Sequence, residues 1–373
     1  MIFGNDRMVG IVHGKRTGFQ MKLNVGLLLS MLLLGCGQSG GGGTTVPPPV
    51  GLIIPQVSDD LLSYVGNSIS YVQGYSEGYV VPSAPQLSSF DSLITDLINR
   101  NIEAVAADAG SLNFELIEFT DTGAGNNRLY CLREIVTRGQ GFYCVDHDAT
   151  TSHHISVPHP LYDRDTNTES VTVMRNTGAR YLSIATSHRC ANSAESSCSG
   201  TTTACGVSGP YKTSDAAHNV NAYFYHFGTN VHDQSATTHT VQLHGCGSST
   251  CPSNYDNADI VARLSAGTTM DLASTELVNR LSAALNAEIE PYSLGVALSC
   301  SEPGADKRLC GTTNPLGRYI NGQPNPCQNS ATSFAGSRWL HIEQNRNLRV
   351  DDGAGDEITP ANLVNAINDT LAP

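Results

Sequence analysis

Basic residues are scarce in this chain. It carries 21 lysines and arginines against 34 aspartates and glutamates among 373 residues, and charged residues make up only 15% of it. Residues 1–35 hold four bases (Arg7, Lys15, Arg16, Lys22) and one acid (Asp6), so the remainder has 17 bases, 33 acids and a balance near −16. Such a surface repels phosphate backbones and anionic bilayer faces, which excludes nucleic acid as a main partner. Long apolar runs are equally lacking. The run from Val25 to Leu34 is shorter than the roughly 20 residues that a lasting membrane-spanning helix needs. No serine-hydrolase elbow is expected, because no helical pattern opens after either Gly-x-Ser-x-Gly stretch, Gly37 to Gly41 or Gly74 to Gly78, as a strand-turn-helix elbow requires.

What is present begins with an address. Met21-Lys22 and the apolar run read as a secretion leader, and Leu33-Leu34-Gly35-Cys36 reads as a bacterial lipobox with Cys36 acylated. The expected organisation is a leader over 1–35, a flexible Gly/Pro tether over 36–55, and one α/β hydrolase-like catalytic domain over 56–373. The expected location is the bacterial envelope, with lipid on Cys36 as the sole membrane contact. Setting Cys36 aside, ten of the 11 cysteines remain, which suits five disulfides in an oxidising compartment. Sequence proximity suggests Cys131 with Cys144, Cys198 with Cys205, Cys246 with Cys251, and Cys300 with Cys310 or Cys327. Cys190, Cys198 and Cys205 could instead hold a structural metal. Paired cysteines leave no thiol for nucleophilic catalysis.

Apolar spacing predicts one amphipathic helix over 84–108, and helices over 168–174, 221–227, 271–285 and 360–371. Alternation or short apolar runs predict strands over 114–119, 130–135, 141–145, 155–157, 181–185, 239–243, 260–265, 294–298 and 339–343. Cys190 to Thr213 reads as a stapled surface loop. The alternation predicts an α/β fold: a mixed, mostly parallel sheet with helices on both faces and disulfide-stapled loops, its site at the carboxyl ends of the strands.

Histidines and carboxylates fall at those ends. His159 and Asp163 are four apart after a strand, and His244 closes another, so two imidazoles and a carboxylate could share one Zn²⁺ and leave a position for water. Asp165 and Glu169 compete with Asp163 as the acidic ligand. Asp163 to Glu169 also resembles the start of a calcium loop, but Thr168 and Met174 replace its glycine and its glutamate. Glu343, after Ile342 on an inner strand, is the expected general base with a pKa raised by burial. Pairing with Arg346 or Arg349 is its bland alternative. Arg189 could stabilise an oxyanion. Asp215, His218, Asn219 and His188 are candidates to bind substrate, although Ser214 or Asp215 would also serve as an N-cap. His153 and His154 are expected to be solvated, and His226, His232 and His239 to be background.

The order His159, Asp163, Arg189, Asp215-x-x-His218-Asn219, His244, Glu343 resembles the zinc carboxypeptidase and N-formylglutamate amidohydrolase superfamily over about residues 130–350. Val157-Pro158-His159 is similar to its first ligand segment and Gln242-Leu243-His244-Gly245 to its second. Ile342-Glu343-Gln344-Asn345-Arg346-Asn347-Leu348 is similar to its late Glu-x-x-Arg-x-Leu strand. The resemblance implies a mixed α/β sheet and one zinc held by His159, Asp163 and His244. It also implies Arg189 at the oxyanion, Asp215 to Asn219 at the substrate carboxylate, and Glu343 activating water. Two positions depart from it. The carboxypeptidases' His-x-x-Glu becomes His159-x-x-x-Asp163, and Asn-Arg becomes His218-Asn219, without the guanidinium fork that grips a terminal carboxylate. The resulting expectation is a zinc-dependent hydrolase of amides in peptide-like or N-acyl amino acid substrates. A non-catalytic envelope lipoprotein that binds a ligand or partner, or a metal-dependent esterase or phosphatase, would use the same scaffold.

Overall fold

The computed structural model describes residues 53–247, 251, 260–292, 295–328, 334, 336, 338–350 and 358–372. The leader, Cys36 and most of the expected tether lie outside the described residues. The strands are β1 (Gln56–Asp59), β2 (Phe114–Asp121), β3 (Asn127–Glu134), β4 (Phe142–Val145), β5 (His154–Val157) and β6 (Tyr181–Ile184). They continue with β7 (Thr201–Thr202), β8 (Gly209–Pro210), β9 (Thr240–Gly245), β10 (Ile260–Ser265), β11 (Val296–Ser299) and β12 (Trp339–Gln344). The helices are α1 (Leu61–Asn67), α2 (Ala84–Ile98), α3 (Ile102–Asp108), α4 (Thr166–Thr177), α5 (Tyr223–Gln234), α6 (Leu277–Ile289), α7 (Pro315–Ile320) and α8 (Pro360–Leu371).

Ten strands form one mixed sheet in the order β1-β2-β3-β4-β6-β5-β9-β12-β10-β11, while β7 and β8 pair separately. Five of its nine neighbour pairs are parallel. From β5 the chain crosses to β6 on one side through α4 and later places β9 on the other side. That reversal opens a crevice at the carboxyl end of β5, where sites in such sheets collect. Among the described helices none is long and apolar enough to cross a membrane.

Two apolar layers cover the sheet. Ile155, Val157, Val241, Leu243, Leu340 and Ile342 pack with α1, α4, α6 and α8, while Phe114, Leu132, Tyr143 and Tyr181 pack with α2, α3 and α5. Side chains alternate along a strand and residues in register share a face. The pairings Ser156↔Gln242, His341↔Gln242 and Glu343↔His244 therefore group these polar side chains on the sheet face opposite Ile155, Val241 and Ile342. A buried polar stripe results.

Several expectations change. The helix over 84–108 breaks in two, because Arg100 takes a left-handed φ of 63° and Asn99 and Asn101 flank it as caps. The helix expected from Asp271 starts at Leu277, and the one expected over 221–227 extends to Gln234. Cys131–Cys144, Cys246–Cys251 and Cys300–Cys310 pair as expected. Cys198 pairs with Cys327 rather than Cys205, and Cys190 takes Cys205, which removes the three-cysteine metal reading. His153 and His154 are both buried rather than solvated; His154 Nε2 lies 2.8 Å from Ser183 Oγ, and burial pushes its pKa down to about 3.

Glu169 in α4 is buried beneath β12, where Gln344 Nε2 donates to its two carboxyl oxygens at 2.7 and 2.8 Å. Burial pushes its pKa up to about 8, and the Gln344 hydrogen bond only partly opposes this. Gln344 Oε1 has no donor as placed, and a protonated Glu169 supplies one when the amide turns over. Between about pH 4.5 and pH 8 the folded state thus holds a proton that the unfolded state has lost, and stability falls as pH rises through that window. In Glu169→Gln this slope should vanish, leaving the variant on the order of a few kcal/mol more stable than wild type at pH 8.5 and equal to it near pH 4. Thermal unfolding of both proteins across that range is the check.

Candidate metal centre

His159 lies two residues past β5 in a tight turn, where its carbonyl accepts the N–H groups of Tyr162 at 2.9 Å and Asp163 at 2.7 Å. The turn folds Asp163 back over the His159 ring, with Oδ2 3.5 Å from Nδ1. His244 at the end of β9 brings its own Nδ1 to 3.1 Å from the same oxygen. All three side chains are buried, and the rings of His159 and His244 lie 5.0 Å apart. Asp165, by contrast, pairs with Arg346, and Glu169 with Gln344. The geometry thus separates the three candidate acids.

The outer nitrogen of each ring is fixed. His159 Nε2 lies 2.8 Å from Asp215 Oδ1, a carboxylate oxygen that can only accept, so Nε2 carries the hydrogen. His244 Nε2 lies 3.0 Å from Gln242 Oε1. The orientation of that amide follows from α7. Asn314 is its N-cap, and Asn314 Oδ1 accepts from Leu316 and Gly317 N–H, so Asn314 Nδ2 must face Gln242 as a donor, at 2.6 Å. Gln242 therefore presents its oxygen to that side, and His244 donates to it through Nε2. Both rings then turn lone-pair Nδ1 atoms toward Asp163.

This donor set fits a zinc ion. Ligands held tetrahedrally at about 2.0–2.2 Å are about 3.3–3.5 Å from one another, close to the 3.1 and 3.5 Å separations above. His159 Nδ1 is buried without a hydrogen-bond partner, which an ion would supply. The N–H of each ring is held by a carboxylate or an amide oxygen, as metal-ligating histidines require. Burial lowers the His244 pKa and keeps the ring neutral.

Glu343 and His341 extend the cluster along β12. His341 Nε2 is 3.5 Å from Glu343 Oε1, and the His341 ring lies 4.6 Å from His244 and 5.3 Å from Trp339. Burial, then the charge of Asp163, push the Glu343 pKa well up, while Arg189 and Arg349 oppose them. Neither bland partner pairs with Glu343: Arg346 pairs with Asp165, and Arg349 donates to the carbonyls of Arg164 and Asn345. These side chains line a cleft of about 470 Å³ together with Arg189 and His218. A larger hollow of about 570 Å³ lies by Tyr64, Arg133 and Glu134, where Glu134 accepts from Thr186 and the Arg138 N–H and no histidine is present.

The expected substrate-binding set divides. Asp215 is 1% exposed, and its oxygens are taken by His159, by His218 Nδ1 at 2.8 Å, and by Arg189 Nε and Nη2 at 3.0 and 2.7 Å. It anchors other site residues. Asn219 is likewise buried, donating to the Thr213 carbonyl and accepting from Asn221 N–H. His218 does line the cleft, stacked 3.6 Å from Tyr211, with its Nε2 3.2 Å from Thr313 Oγ1. His188 Nδ1 accepts the Cys190 N–H, and its ring lies between Tyr75 and Tyr162, beside rather than within the cleft lining. Gln242, Asn314, His341 and Tyr211 were not singled out. Asn314-Pro315 carries a helix-start signal, and Gln242 is two residues from His244 on one strand face, but nothing local ties the two together.

No family model and no curated protein matches this chain. Among solved structures it is similar to the protein named "Putative carboxypeptidase A" from Shewanella denitrificans OS-217, with 12% identity and a TM-score of 0.31. The match covers 74% of this chain and 65% of that one, so the chain spans about two thirds of its length. The chemistry of the site is therefore read from its own side chains.

Replacing Asn314 by aspartate tests the tautomer chain. An aspartate still caps α7 but offers Gln242 an acceptor, so the Gln242 amide should turn, present NH₂ to His244 Nε2, and move the ring hydrogen to Nδ1. We expect zinc affinity to fall about 10–100-fold, with histidine ¹⁵N shifts reporting the changed tautomer. Unchanged affinity would show that the capping residue does not reach the ligand.

Proposed function

We propose that this protein is a zinc-dependent hydrolase of amide bonds, held in a bacterial envelope by lipid on Cys36. The observation that carries the reading is the convergence of His159 Nδ1, Asp163 and His244 Nδ1 on one point, with the Glu343 carboxyl beside it. His159, Asp163 and His244 would hold the ion, which supplies Lewis acidity that eases deprotonation of water and polarises a carbonyl.

The other side chains have separable tasks. Glu343 accepts the proton of the attacking water and passes it to the leaving nitrogen, and a carboxyl with a raised pKa is suited to both transfers near neutrality. A divalent charge beside Asp163 opposes the part of that rise which Asp163 causes. Arg189 stays cationic, since Asp215 holds its pKa above the usual value despite burial, and it stabilises charge that develops on the carbonyl oxygen. Asp215 fixes both Arg189 and His159. The tether expected over 36–55 would hold the catalytic domain clear of the membrane surface.

Purified protein shielded from chelators should contain one equivalent of zinc by elemental analysis. His159→Ala should lose it. Glu343→Gln should keep the metal while kcat falls by at least about 10²-fold, the usual scale for a lost general base. Full zinc occupancy without turnover of any amide or ester, in wild type and Glu343→Gln alike, would leave a binding protein instead.

A further inference from the structure

We infer that the substrate of this site is an amide with no free carboxylate near the scissile bond, an internal or capped amide rather than a C-terminal residue. The inference rests on the hydrolase reading above and goes on to the identity of the flanking group.

Its basis is a census of positive charge. A free carboxylate removed from water needs a cation or a fork of donors, or else it carries a large desolvation cost. Among the described residues lining the cleft, the only lysine or arginine side chains are Arg189 and Lys307. Both have other tasks. Arg189 has two nitrogens on Asp215 Oδ2, whose other oxygen His159 and His218 hold, and the hydrolase reading assigns its remaining donors to the carbonyl oxygen under attack. Lys307 Nζ lies 2.7 Å from Asp271 Oδ1 and 2.8 Å from the Cys300 carbonyl. Arg318, behind the cleft wall, spends its donors on Ser199 Oγ and on the carbonyls of Thr312, Pro326 and Cys327. The segments between 248 and 357 outside the described residues contain no lysine or arginine in the sequence.

What the cleft offers is neutral. Thr201, Thr202, Thr203, Ser208 and Thr313 contribute hydroxyl-bearing residues to the cleft lining. His218 has both ring nitrogens engaged, Nδ1 with Asp215 Oδ1 and Nε2 with Thr313 Oγ1. Hydroxyls and carbonyls bind the N–H and C=O groups of an amide chain on either side of the cut without requiring an ion.

The test uses the zinc-loaded full chain and pairs of N-acylated dipeptides identical except for a C-terminal carboxylate or carboxamide. The cut bond is identified by mass, each cleavage consuming one water and giving one acid and one amine. The carboxamide should be cleaved internally with kcat/KM at least about 10-fold above the carboxylate. In Asp271→Asn, which releases Lys307, the gap should narrow several-fold, chiefly through KM for the carboxylate. Equal or better cleavage of the free acid, or a gap that Asp271→Asn leaves unchanged, would overturn the inference while leaving the hydrolase reading intact. Cleavage of neither member by zinc-loaded protein would overturn both.

Discussion

The site depends on two imidazole rings being held by their outer edges. Asp215 takes the Nε2 hydrogen of His159, Gln242 takes that of His244, and the inner nitrogens are thereby presented to Asp163. Without those anchors each ring could exchange tautomers or turn, and Asp163 would face a mixture of donors and lone pairs. The anchors are themselves held. Arg189 and His218 fix Asp215, while Ser156 and Asn314 fix Gln242. The polar network therefore runs from the Asn314 cap of α7 to the buried Asp215 carboxylate.

The sheet makes this network possible at little conformational cost. Strands β5, β9 and β12 are adjacent and parallel, so their carboxyl ends reach one level, and strand pleating sends Ser156, Gln242, His244, His341 and Glu343 to one face. The opposite face of the same strands is aliphatic and packs against four helices. Rigid packing there keeps the polar face in register, as a precise ligand set requires. Arg349 adds a clamp behind the site. It donates to the Arg164 carbonyl and lies against Gly245, where a Cβ would meet the guanidinium at 2.6 Å.

Much of this was legible in the chain. His159, His244 and Glu343 each follow a short apolar run, and strand ends in an α/β sheet are where ligands gather, so their convergence could be expected. The mixed sheet and most of its strands followed from the same apolar patterning. Other parts could not be read because they depend on long-range pairing. Asp215 looked available to a substrate, and only its placement beside His159 and Arg189 shows its oxygens to be occupied. Residues 190–213 read as a surface loop because they are polar and rich in small residues, yet part of that segment forms a cleft wall. His154 read as solvated for want of any signal that Ser183 and Thr240 would enclose it.

The Cys198–Cys327 bridge spans 129 residues and joins one wall of the cleft to the segment beside the other. A chain emerging from its amino end exposes Cys190, Cys198 and Cys205 long before Cys327 exists. An oxidant that joins thiols as they appear would link neighbours among those three and strand Cys198 with the wrong mate. Reaching the native set then needs exchange through mixed disulfides, a step of seconds to hours that an isomerase shortens. Yield of the natively paired form should thus be governed by proofreading of sulfur pairs rather than by the speed at which they are oxidised.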